Sequence, residues 1–268
     1  MKILAPFEKL FTPYALIALN LAIILSAEFV GGGTYFAETG LAHGIAIVFV
    51  GLIIVRIFSD YAFNDYILRG FLQIQLAFFL FLGLVHVYEY LGLDVYGLNP
   101  EVVELSVMAS YLLWVLGILL ALEFVFRIYS KRTVVFMSVI SAVLVGGFLM
   151  LVGANISATI AESLPEWLPQ VMLAGIVGLG IAGISAIRNI RELMPVFREY
   201  SHYAIPAIVL ISVSAFSEYF ESTGALEIFG VSEVQILYIS HFLVYAALSL
   251  LLIGFGKLKK PMGIYTEM

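Results

Sequence analysis

The sequence predicts an all-α integral membrane protein of eight transmembrane helices, arranged as four hairpins with both termini cytoplasmic. Three observations carry that reading. Hydrophobic residues fill 62% of the 268 positions against 12% charged, the apolar residues fall into eight long runs, and every basic residue lies at the same side of those runs. A chain this apolar cannot hide its surface inside one soluble core, so its solvent is lipid.

A helix needs ~20 apolar residues to cross the ~30 Å hydrocarbon layer, so the runs between charged residues can be read as spans. They are Pro13 to Val30, Ala42 to Phe58, Leu72 to Leu91, Leu105 to Ile128, Val134 to Asn155, Leu168 to Ile187, Ala204 to Phe220 and Ile236 to Phe255. No segment between them is long enough for a soluble domain, and residues 1–268 form a single transmembrane domain.

The thirteen Lys and Arg residues are Lys2, Lys9, Arg56, Arg69, Arg127, Lys131, Arg132, Arg188, Arg191, Arg198, Lys257, Lys259 and Lys260. All fall before odd-numbered helices or after even-numbered ones. By the positive-inside rule this puts both termini in the cytoplasm of a cell bounded by a plasma membrane, with the hairpin tips outside. The tips are acidic, with Glu38, Asp94, Glu101, Glu104, Glu162, Glu166, Glu227 and Glu233, a rim that attracts cations.

Helix two ends in Arg56-Ile57-Phe58-Ser59 and helix four in Arg127-Ile128-Tyr129-Ser130. Glutamate followed by an aromatic recurs as Glu28-Phe29, Glu89-Tyr90 and Glu218-Tyr219, each 19 or 20 residues after a basic anchor. The echo divides the chain into repeats 1–66, 67–132, 133–199 and 200–268, parallel rather than inverted. The absence of cysteine excludes disulfides, thiolate metal sites and a cysteine nucleophile. Together with only nine Asn and Gln residues, it fits a thermophilic prokaryotic source.

Polar residues inside the spans are the candidate site. Helix one carries Asn20 and Glu28. In helix two, His43 stands 13 residues from Arg56, about 20 Å at 1.5 Å per residue. Helix three places Gln75, His86 and Glu89 within about 60° of one another. Its i, i+3 pair permits a hydrogen bond or shared coordination. Helix four ends with Glu123 and Arg127 at i, i+4, a structural pair. Helices five and six are rich in small residues, Gly146, Gly147, Gly153 and Ala154 in one and Ala174, Gly178, Ala182 and Ala186 in the other. They are expected to pack closely at the centre or at an oligomer interface. Helix seven offers Ser214, Ser217, Glu218 and Glu221, and helix eight Tyr238, His241, Tyr245 and Ser249.

Glu28, His43, His86, Glu89, Glu218 and His241 thus share one depth in the outer leaflet, with Ser214 beside them. Imidazole and carboxylate can pass protons near neutral pH or bind a divalent metal, for which His43, His86, His241 and Glu89 are the candidate ligands. Two facing histidines could instead hold haem. No HExxH, HxxxH or phosphate-binding loop is present, no residue is singled out as catalytic, and no span contains a lysine for a retinal Schiff base.

The function expected is membrane transport of a cation or a proton-coupled solute, rather than enzymatic action by the chain alone. The alternatives are a membrane subunit of a redox complex binding quinol, quinone or haem, and a structural or sensory module bound to a partner. In helix count the chain resembles quinol-oxidising subunits of the polysulfide-reductase kind. The expected partners are the lipid bilayer and a homo-oligomer or larger membrane complex, not nucleic acid.

Overall fold

A computed structural model describes residues 12–31, 41–61, 66–95, 100–127, 130–156, 165, 167–222, 230 and 232–258. Eight long helices are present among them: α1 (Pro13–Gly31), α2 (Leu41–Tyr61), α3 (Tyr66–Glu89), α4 (Pro100–Phe126), α5 (Lys131–Ile156), α6 (Leu168–Leu193), α7 (Pro195–Ser222) and α8 (Glu233–Lys257). A π-helical turn, Tyr90–Val95, prolongs α3. Among the described residues there is no strand. The protein is an all-helical membrane protein, and α2 to α8 are each long and apolar enough to span a bilayer. In α1 the apolar stretch is shorter, Tyr14–Ser26.

Side-chain contacts give the directions of the helices. Phe79 on α3 meets Trp114 on α4, and His86 meets Tyr111, so these two run antiparallel. On α7 and α8, Tyr200 pairs with Phe255 while Ser214 bonds to Ser240, again antiparallel. Between α2 and α8 the register rises together, His43 with His241 and Phe49 with Tyr245, so they are parallel. The bundle therefore has a basic end, with Arg56, Arg69, Arg198 and Lys257, and a tip end where α2 and α8 begin.

The hairpins pack unequally. The two helices of the α3–α4 and α7–α8 hairpins lie against each other, whereas α1 packs on α8 and α5 on α4. The helices α2, α3, α4, α6, α7 and α8 close a ring, the last joint being α8 on α2. Within the bundle α4 is 94% buried, touching α3, α5, α6 and α7, while α5 is only 11% buried.

Within the chain the small-residue helices are not paired at the centre, since α5 packs on α4 and α6 on α4 and α7; the outward small residues of α6 lie on the side where the expected oligomer interface would form. Ala174, Gly178 and Ala182 lie on the exposed side of α6. The glycines that allow close approach are others: Gly175 lies against Leu112 of α4, and Gly183 against Val115 and Ile208. In lipid a small residue promotes packing only on the side where a neighbour stands.

Caps define the ends. Ser232 accepts from the Gln235 backbone N–H at 3.3 Å, and the Gln235 side chain accepts from the Ser232 N–H at 3.1 Å. This reciprocal box satisfies two donors that the first turn of α8 would otherwise leave open. Ser232→Ala is expected to destabilise the protein by about 1 kcal/mol, measured as a lower midpoint of thermal unfolding in detergent. At the other end of α4, Arg127 takes a left-handed φ of 49° while its N–H bonds to the Glu123 carbonyl at 2.7 Å. The left-handed turn at Arg127, after this last backbone bond, ends the helix.

Candidate functional site: a carboxylate and three histidines

Glu89 is the last α-helical residue of α3, and the π turn begins at the next position. Such wide turns commonly mark functional positions in helices. His86, one turn earlier on the same face, brings its Nδ1 to 2.8 Å from Glu89 Oε2. From α2, His43 brings Nε2 to 3.4 Å from the other oxygen, Glu89 Oε1. The carboxylate therefore bridges two helices through its two oxygens.

The third imidazole comes from α8. His241 packs edge-on to His43, with ring centroids 5.3 Å apart. Its Nδ1 lies 2.9 Å from the Leu237 carbonyl and 3.3 Å from Ser240 Oγ. A carbonyl only accepts, so His241 Nδ1 carries the proton and the neutral ring has its lone pair on Nε2. All three histidines are buried, and the Glu89 side chain keeps only 12% of its exposure.

Cross-helix hydrogen bonds to α8 hold the geometry. Tyr245 donates to the Ala42 carbonyl at 2.6 Å, fixing the first turn of α2 and with it His43. Ser214 on α7 donates to the Ser240 carbonyl at 3.1 Å. Asn20 on α1 donates to Ser249 at 3.1 Å. A buried polar group between helices is satisfied only if its partner stands opposite, so these bonds select one register.

Of the residues singled out from sequence, His43, His86, Glu89 and His241 come together. Ser214 serves as a bond from α7 to α8 beside them. The side chains of Glu28 and Glu218 lie outside the described residues. Tyr111, whose ring is 6.5 Å from His86, and Ser240 were not singled out. No periodicity marks either one, because both depend on a helix pairing.

His86 and Glu89 share a proton position. With Glu89 ionised, His86 Nδ1–H donates to it, and with Glu89 protonated the carboxyl donates to Nδ1. When His86 Nε2 takes up a proton as the Nδ1 proton crosses this 2.8 Å bond, the ring stays neutral and what Nε2 requires changes from a donor to an acceptor. That atom is buried and has no hydrogen-bond partner among the described residues. Such an atom can relay a proton once water or a substrate reaches it.

The fit to a metal or haem is poorer. Among the described residues no three His, Asp or Glu side chains are grouped to hold an ion. A bis-histidine haem needs a flat macrocycle between two rings, and the His43–His241 edge contact leaves no such plane. Comparison with known protein families, with curated proteins and with solved structures finds no match to this chain.

Proposed function

We propose that the protein is a proton-linked membrane transport protein for a cation or small solute, with Glu89 as its central proton-carrying group. The observation that carries this is a carboxylate inside a span that meets His43 and His86 through its two oxygens, with His241 from a third helix packed against His43. An ionisable group within a membrane is costly and is kept where it serves a pathway. Here one carboxylate and three imidazoles offer several protonation states at nearly constant geometry.

The test is reconstitution into liposomes enclosing a pH-sensitive dye, with a potassium diffusion potential imposed by valinomycin. Protein-containing vesicles are expected to acidify inside several times faster than empty ones. Equal rates in both would end the reading for proton flux alone, and equal rates again with alkali cations and small neutral solutes supplied would end it altogether.

The tip end is the outward one in this proposal, supported by the uniform placement of Lys and Arg at the opposite end. Because the chain has no cysteine, single cysteines report side directly. Trp167→Cys is expected to react with a membrane-impermeant maleimide on intact cells, and Arg132→Cys only after the cells are opened. The reverse pattern would invert the orientation in the plasma membrane.

A further inference from the structure

The His/Glu cluster does not exhaust the buried polar groups of the bundle. Trp114 Nε1, both amide atoms of Gln75 and the Tyr200 hydroxyl are buried with no hydrogen-bond partner among the described residues, as is His86 Nε2. Gln75 and Tyr200 are wholly inaccessible, and Trp114 is 1% exposed. An unsatisfied amide or hydroxyl at this depth costs several kcal/mol, since lipid supplies no alternative partner.

Helix register and ring contacts place the residues that carry these atoms in succession from the cluster to the basic end. His86 lies beside Tyr111, and Trp114 is the next turn of α4 toward the basic end. The Trp114 ring meets Phe79 at 6.4 Å. Gln75 stands one turn below Phe79 and one turn above Phe71, on the same face of α3. Phe71 and Phe79 in turn flank the inner pair, since Phe71 meets Tyr200 at 5.8 Å and Phe79 meets Phe255 at 5.5 Å. Tyr200 packs on Phe255, whose neighbour Gly256 lies against the Arg56 guanidinium at the basic end.

We infer that these groups line an internal file of water that carries protons between the His/Glu cluster and the basic end, with Gln75 as its midpoint. A chain of this length holds on the order of ten buried waters, each bridging otherwise unsatisfied polar atoms. From His86 to Gln75 is 11 residues, about 16 Å along the helix axis, a distance that several waters and the Trp114 N–H between them would cover. The primary amide of Gln75 donates and accepts at once, so it can hold water on both sides without itself taking up the proton. This inference rests on the proton-transport reading and adds the route by which the proton leaves the cluster.

Two measurements on the full-length protein test it. The first is radiolytic hydroxyl-radical labelling in detergent, in which radicals formed from bound water modify residues that bulk solvent never reaches. Once each rate is divided by the residue's intrinsic reactivity toward hydroxyl radical, Trp114 and Tyr200 are expected to be modified at least fivefold faster than Leu248, which is equally buried on α8. Equal, near-zero labelling of all three would overturn the water file.

The second is flux in the liposome assay. Gln75→Leu is expected to retain the wild-type melting temperature and to lose at least nine-tenths of proton flux, and Gln75→Asn to restore at least half of it. If Gln75→Leu conducts as the wild type while Glu89→Gln does not, the route is wrong and the cluster reading stands. If the wild type moves no protons, alone or with alkali cations and small neutral solutes supplied, both fall. Should Gln75→Leu fail to fold, Gln75→Asn and Gln75→Glu decide the matter: flux in both supports the file, and its loss in both folded variants overturns it.

Discussion

Glu89→Gln is expected to lower proton flux at least tenfold while leaving the bundle folded. Glutamine has the shape of glutamate and keeps one acceptor oxygen, so it still accepts one hydrogen bond from His86 or His43. It cannot exchange a proton across the 2.8 Å contact with His86 Nδ1. Glu89→Ala is different in kind. It removes the acceptor from two helices at once, and stranding buried imidazole donors costs about 1–3 kcal/mol, so both flux and thermal stability should fall. The decisive comparison is flux per folded protein in the glutamine variant. Wild-type flux there would remove Glu89 from the pathway, and the transport reading with it.

The second large effect is expected at the centre of the bundle. Trp114→Ala empties the space of the largest fully buried side chain on the most enclosed helix. The loss is about 3 kcal/mol or more, since neighbouring helices cannot collapse into a cavity of that size. Part of the usual cost of such a change is transfer from water, which is absent for a lipid-embedded reference state. What remains is lost packing, the term that holds membrane helices together. Val143→Ala on the exposed side of α5 removes atoms that lie outside the packed bundle of the chain. Its effect should stay within about 0.5 kcal/mol. Unfolding midpoints of the two variants in the same detergent provide the check, and similar shifts would contradict the central place of α4.

The depth of the site was legible in the sequence and its azimuth was only half so. Helix rise fixes how far His43, His86 and His241 stand from Arg56, Arg69 and Lys257, so their common level could be counted from the charges. The i, i+3 bond of His86 and Glu89 is local to one helix and followed from spacing alone. Which helices would bring His43 to that carboxylate and His241 to His43 did not follow, because α8 on α2 is a contact between distant parts of the chain.

The identity of the central helix was also hidden. The spans of α4 and α5 are equally apolar, yet one is 94% and the other 11% buried. In water a buried helix is apolar all round and an exposed one is not. In lipid that difference vanishes, since a leucine faces acyl chains or protein with little preference. Only polar and very small residues then carry directional information, and of these Ala174, Gly178 and Ala182 face outward rather than toward α4. Ser240 and Tyr111 could not be found for the same reason: their roles exist only across an interface.

The joint between α8 and α2 bears on how the protein is made. Tyr245 and Ala42 are 203 residues apart, so the ribosome must deliver α8 to the bilayer before the hydroxyl can clasp the start of α2. At a synthesis rate of about 5–20 residues per second, an incomplete chain sits in the membrane for on the order of ten seconds or more between those two events. During that interval His43 and Glu89 can already meet, but His241 has not arrived. A nascent chain thus holds only part of the His/Glu cluster, which is completed when the last helix closes the ring.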